Sequence, residues 1–163
     1  MPTLTPCLFY DGAALEAVEF YASVFPDTRL GSVTRTETDT PFRRKGDVMS
    51  VEFTLLGQPF VAINGNDAFP FTEAVSFQVH CEDQAEVDRY WDALLAGGGT
   101  PSQCGWLKDR FGLSWQVIPS EMIRYLGGPD PAGCARAMEA MLTMSKLDLD
   151  ALRRAYEGTA SGR

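Results

Sequence analysis

Apolar and polar positions along the chain form two similar patterns and then a third, different one. Residues 4–10 (LTPCLFY) read as a short strand, which Asp11-Gly12 ends. Ala14, Val18, Tyr21 and Phe25 then recur at the spacing of one helical face. Pro26-Asp27 stops that helix. Residues 28–37 alternate weakly, and the polar residues 38–46, with Pro41 and Arg43-Arg44-Lys45, read as a loop. Residues 47–55 alternate well and predict a strand with Met49, Val51, Phe53 and Leu55 on its apolar face. Gly57 marks a hairpin turn, and residues 59–64 (PFVAIN) form the return strand.

The order β-α-β-β-β then recurs. Residues 74–81 (AVSFQVHC) predict a strand, and Glu82-Asp83 leads into a helix with the stripe Val87, Trp91, Leu94 and Leu95. Gly97-Gly98-Gly99 ends that helix, because glycine accepts the positive φ of a C-terminal cap. Short strands follow near 100–103 and 105–109, and residues 113–118 (LSWQVI) form the last. Asp11 aligns with Asp83 at an offset of about 72, so the chain carries an internal repeat of elements with little identity between the copies.

The third pattern is helical. A short helix is expected over 120–125, ended by Gly127-Gly128. Asp130 with Pro131 opens a helix whose predicted stripe is Cys134, Met138, Met141 and Leu142. Asp148 caps a last helix, with Leu147 and Leu152 spaced as a hydrophobic staple, and residues 158–163 are expected to fray. The expected division is 1–119 for the paired modules (about 1–67 and 70–119) and 120–163 for a C-terminal helical extension. That extension could dock on a second copy or pack on its own sheet.

Composition narrows the function classes. The 163 residues are long enough for a sizeable core, and 45% hydrophobic with 22% charged residues argues against wholesale disorder. A net charge of −8 argues against nucleic acid and against anionic membrane as partners. No apolar run reaches the roughly 18 residues of a membrane span. The N-terminal residues show no basic-then-apolar leader, so a cytoplasmic location is the expectation. Cys7, Cys81, Cys104 and Cys134 form no C-x-x-C pair and are expected to be reduced and mostly buried, with Cys104 the most exposed.

Several polar residues are candidates for binding. Ser76, Gln78 and His80 share one strand face, opposite Phe77, Val79 and Cys81. His80 is the single histidine, and reads either as a rim residue or as a ligand or base. Gln103 and Gln116 either present amides to a ligand or satisfy sheet edges. Trp106 and Trp115 either line a cavity or fill the core. Asn64 is a turn residue or a ligand contact. Arg43-Arg44-Lys45 is a solvated loop or an anion clamp, while Glu73 and Asp109 stand as isolated acids.

These strings resemble a known family. Phe9-Tyr10-Asp11-Gly12 with AVEFYASVFP (17–26), Phe71 to Phe77, EVDRYWDAL (86–94), Gln103 to Leu107, Phe111 to Gln116 and the tail MEAMLTMSKLDLDAL (138–152) are similar to the PhnB-like branch of the vicinal-oxygen-chelate superfamily. The resemblance implies an α+β fold of two tandem βαβββ modules forming a curved mixed sheet, glyoxalase-like, that closes a cup. It also implies a homodimer. Metal-dependent members place a His or Gln on each module's first strand and a Glu on its last. Carried over to this chain, the first-strand positions, counted back from Asp11 and Asp83, are Leu4 and Ser76, and the last-strand positions fall near Val61 and Gln116. Leucine and valine cannot bind a metal, and Ser and Gln are weak neutral ligands, so no superfamily-type metal and no cofactor is expected.

The first reading is therefore a metal-free protein holding a small molecule in the cup, through Asn64, Ser76, Gln78, His80, Gln103, Trp106 and Gln116. A second is an enzyme, either a lyase, isomerase or dioxygenase-like activity or the 3-demethylubiquinone-9 3-methyltransferase activity for which the family is named. The methyltransferase reading lacks a glycine-rich loop between strand and helix. A third is a mainly structural dimer.

Overall fold

The computed structural model describes residues 2–159, which divide into two compact units between Pro70 and Phe71. In the first unit the order is β1 (Cys7–Tyr10), α1 (Ala14–Val24), β2 (Arg29–Arg35), β3 (Val48–Leu55) and β4 (Gln58–Asn64). The sheet runs β1-β4-β3-β2, with β1 parallel to β4 and the other pairs antiparallel. A parallel pair needs a long connection, and here that connection holds α1, β2 and β3. The helix buries Ala14, Ala17, Val18, Phe20 and Tyr21, and the sheet buries Leu8, Tyr10, Val51, Phe53, Phe60 and Ala62. Tyr10 and Tyr21 share a buried hydroxyl–hydroxyl bond of 3.1 Å.

Met49 departs from the expected apolar face and is 42% exposed. Pairing of β3 with β4 begins only at Ser50, and β2 breaks register between Thr34 and Arg35 beside it. Met49 therefore lies where the sheet is irregular on one side and unpaired on the other.

The second unit repeats the order with β5 (Ser76–Cys81), α2 (Gln84–Leu95), β6 (Thr100–Pro101), β7 (Trp106–Lys108) and β8 (Ser114–Pro119). Its sheet runs β5-β8-β7-β6, with β5 parallel to β8. Val87, Tyr90, Trp91 and Leu94 make the buried face of α2. Tyr90 takes the place expected for Leu95, because 87, 90, 91 and 94 complete the i, i+3, i+4, i+7 face and 95 falls on its flank. Beneath α2 lie Val79, Cys81, Leu107, Trp115 and Val117, all buried.

The two helices open differently. Asp83 caps α2, its carboxylate accepting from Glu86 N–H at 2.9 Å. Ala13 occupies the equivalent position before α1 and has no side-chain cap bond. Asp11 therefore does not match Asp83 in role. Its carboxylate lies 3.2 Å from the Arg43 guanidinium instead.

Three helices complete the second unit: α3 (Met122–Leu126), α4 (Pro131–Leu142) and α5 (Leu149–Glu157). Asp130 and Asp148 cap α4 and α5 by accepting from Ala132 and Ala151 N–H. Tyr125, Ala137 and Leu152 form a small core ringed by half-buried methionines. The face expected to be buried on α4 holds only in part: Cys134 is half-buried and Met141 packs on this core, but the other two residues of the stripe do not. Gly133 and Ala137 point inward, while Met138 and Leu142 are 41% and 58% exposed. Small residues win because α5 comes too close for larger ones: a Cβ on Gly133 would lie 2.8 Å from the Tyr156 carbonyl oxygen.

The extension packs within its own unit. Cys104 and Gly105 adopt consecutive positive φ values of 56° and 82°. Their N–H groups donate to the carbonyls of Met144 and Ser145, both at 2.8 Å. Lys146 pairs with Asp88 of α2 at 2.9 Å. The four cysteines are free, but only Cys81 is buried; Cys7 is exposed and Cys104 and Cys134 are half-buried. Cys7 rather than Cys104 is the most exposed thiol, since it sits on the face of β1 opposite the helix.

Candidate functional site

Each sheet has one face under its helix and one open face. Alternation along β5, β7 and β8 puts Ser76, Gln78, His80, Trp106, Lys108, Ser114 and Gln116 on the open face of the second unit. Register brings them together. Gln78 lies opposite Gln116, Ser76 opposite Ser114, Trp106 opposite Gln116 and Lys108 opposite Ser114.

Three of the expected binding residues form one hydrogen-bonded chain. Gln116 Nε2 donates to Ser76 Oγ at 2.8 Å, and Gln78 Nε2 donates to Gln116 Oε1 at 3.2 Å. Gln78, at the end of this chain, is exposed. His80 is exposed one step further along β5, opposite Ile118.

Beside this amide chain lies a cleft of about 510 Å³, lined by Trp106, Gln103, Cys104, Pro101, Lys108 and Ser114 among others. That size suits a small organic molecule. Trp106 is half-buried and Gln103 exposed. Glu73, just before β5, reaches the cleft and meets Lys108 Nζ at 2.6 Å. The hydrogen bond from the Lys108 ammonium holds the Glu73 carboxyl below its ordinary range. Ser114 is wholly buried, and its Oγ has no hydrogen-bond partner among the described residues.

Trp115 and Asn64 take structural roles. Trp115 points under α2 with its indole N–H on Asp109 Oδ2 at 2.8 Å. Asp109 is not an isolated acid: it is buried and also accepts from Phe111 and Leu113 N–H. Asn64, in the first unit, is buried, with both ends of its amide bonded to backbone groups. Lys108, Ser114 and Glu73 were not singled out as binding residues from sequence. Lys108 and Ser114 lie two residues from Trp106 and Gln116, so strict alternation already placed them on the same face.

The donor set does not suit a divalent ion. Leu4 lies outside β1 and is 90% exposed; the residue opposite Val61 is Cys7. The matching pair in the second unit is Gln78 and Gln116. A thiol raised in pKa by burial, a valine and two amides include no carboxylate and no imidazole. Among the described residues no three His, Cys, Asp or Glu side chains cluster in a metal-binding arrangement. Nor is any helix among them long and apolar enough to cross a membrane.

The fold recurs in known structures. The PhnB protein from Bacillus cereus is 34% identical over 73% of this chain and 100% of its own, with a TM-score of 0.66. A protein from Pseudomonas aeruginosa, 22% identical over 73% of this chain and 98% of its own, has a TM-score of 0.58. The fosfomycin resistance protein FosX from Listeria monocytogenes, in complex with Mn(II) and sulfate, shares the fold at 12% identity. It matches over 77% of this chain and 95% of its own, with a TM-score of 0.54. No curated protein matches the chain. The sequence profile of the 3-demethylubiquinone-9 3-methyltransferase family covers residues 2–118, so helices α3 to α5 lie beyond the match. By that profile and the PhnB protein, the chain belongs to the PhnB-like 3-demethylubiquinone-9 3-methyltransferase family.

Proposed function

We propose that this protein binds a small organic molecule on the open face of its second sheet, without a metal ion. The observation that carries this reading is the Ser76–Gln116–Gln78 hydrogen-bond chain beside a tryptophan-lined cleft. Where metal-dependent relatives need carboxylate and imidazole, this chain offers amides bonded to one another. Gln78 and Gln116 present polar edges, Trp106 presents an aromatic face, Gln103 lines the cleft, and His80 lies further along the same sheet face. Methyl transfer from S-adenosylmethionine has no support in the described residues. The sheets are not doubly wound, and no glycine-rich loop joins a strand to a helix.

A homodimer and a cytoplasmic location complete the reading. The family resemblance supports the dimer, as do Met138, Leu142 and Ile123 of the extension, which expose apolar side chains. Four free cysteines support a reducing compartment.

Two measurements test the reading. The protein is incubated with Zn²⁺, Ni²⁺, Mn²⁺ and Fe²⁺, desalted and analysed for metal; no retained ion is expected, and about one ion per chain would overturn it. A thermal-shift screen of small organic molecules should then give hits that raise the melting temperature. Trp106→Ala should abolish those shifts with little loss of stability. Hits that survive this substitution would move the site elsewhere.

A further inference from the structure

The geometry points to a planar carboxylate as the class of ligand held in the cleft, bound between Lys108 and Ser114 against Trp106. This inference rests on the reading that the open face of the second sheet binds small molecules, and it names their chemistry.

Three observations converge. Ser114 lines the cleft, and its buried Oγ has no hydrogen-bond partner among the described residues. Buried hydroxyls are nearly always bonded, so an unpartnered one on a cleft wall is a place prepared for a ligand atom. Lys108 lies directly opposite Ser114 in the β7–β8 register. Directly opposed side chains start about 5 Å apart, close enough for one small group to touch both. A group that takes a hydrogen bond from a hydroxyl and also pairs with an ammonium is an acceptor carrying negative charge. A carboxylate has two such oxygens.

The protein already places a carboxylate on that ammonium. Glu73 Oε1 sits 2.6 Å from Lys108 Nζ, yet the Glu73 side chain is 64% exposed. An ion pair this open is weak and exchangeable. Glu73 thus occupies Lys108 until a ligand carboxylate displaces it, and it then swings into solvent. Trp106 lies two residues before Lys108 on the same strand face, roughly 7 Å along it. That spacing sets a flat ring against the indole while the carboxylate reaches Lys108 and Ser114. Pro101 and Cys104 add apolar wall.

The test compares benzoate and phenylacetate with benzamide and phenylacetamide by isothermal titration of the full-length protein. The acids should bind, and the amides, matched in shape, should bind at least about tenfold more weakly, because they lack the charge-assisted bond. Lys108→Gln should weaken the acids by a similar factor. Ser114→Ala should weaken them severalfold without lowering the melting temperature, since it removes an unbonded hydroxyl. Glu73→Gln should tighten them, because it removes the internal competitor. A purely structural Glu73–Lys108 pair would instead shift stability and leave affinity alone, and that result overturns the inference. Equal binding of acids and amides overturns it as well, as does silence of both. If neutral aromatic compounds bind in a Trp106-dependent manner while acids do not, the carboxylate assignment falls and the binding face stands. If no compound in the broader screen binds, both fall.

Discussion

Asn64, the last residue of β4, caps the helix that begins fifty residues earlier: its Oδ1 accepts the Ala14 N–H at 2.9 Å. The same amide donates through Nδ2 to the Val48 carbonyl at 3.0 Å. One side chain thus ties α1, β3 and β4 together and replaces the cap that Ala13 cannot supply. Asn64→Ala leaves a buried N–H and a carbonyl without their partners and should cost about 1–3 kcal/mol in urea unfolding. Binding in the cleft of the second unit should not change. A change in ligand affinity at unaltered stability would return Asn64 to the ligand contacts.

Gly105 joins the extension to the second sheet. It has a φ of 82°, and a Cβ there would lie 2.8 Å from the Val117 carbonyl oxygen and 2.9 Å from Leu147 Cδ1. Gly105→Ala should therefore destabilise the protein by about 1–3 kcal/mol through left-handed strain, with the clash in addition. Limited proteolysis should cut the variant first between 120 and 159. Wild-type resistance of that segment in the variant would show that the junction is not held here.

Stability should depend on pH through Lys146 and Asp88. The hydrogen bond between them raises the lysine and lowers the aspartate. The aspartate contribution is full above its unfolded pKa, near 3.9, and is lost as pH falls through the lower folded value. The lysine contribution is full below about pH 10.4 and is lost as pH rises through the higher folded value. Both groups are partly exposed, so Lys146→Met should cost no more than about 1 kcal/mol between these limits. The difference from wild type should vanish in strong acid. A constant difference down to pH 2 would assign the loss to packing of the lysine stem.

Thiol reactivity should separate the cysteines. Cys81 is buried, and burial pushes its thiol up to about 11. It should react with a disulfide reagent at pH 8 only when the protein unfolds. Partial burial raises the Cys7 thiol, yet the residue is exposed, so it should react in the native state. Cys7→Ser should remove the fastest labelling phase; an unchanged time course would place that reactivity at Cys104 or Cys134.

The periodic elements were legible in the sequence. Strand alternation assigned Gln78 and His80 to the face opposite Val79 and Cys81, and helical spacing found α1, α2 and the capped starts of α4 and α5. These features depend on neighbours within a few residues, and periods of 2 and 3.6 encode them directly. Tertiary structure decided the partners. Whether α4 buries Met138 or Gly133 depends on how near α5 approaches, and that distance is set by residues twenty positions away. The repeat was visible as an order of elements, yet Asp11 and Asp83 diverge in role because Asn64, from the far end of its module, supplies the missing cap. Glu73 looked isolated until β7 brought Lys108 beside it, and nothing local marks Ser114 as a buried hydroxyl without a partner. A sequence records which side of an element faces inward; only long-range packing determines what that side meets.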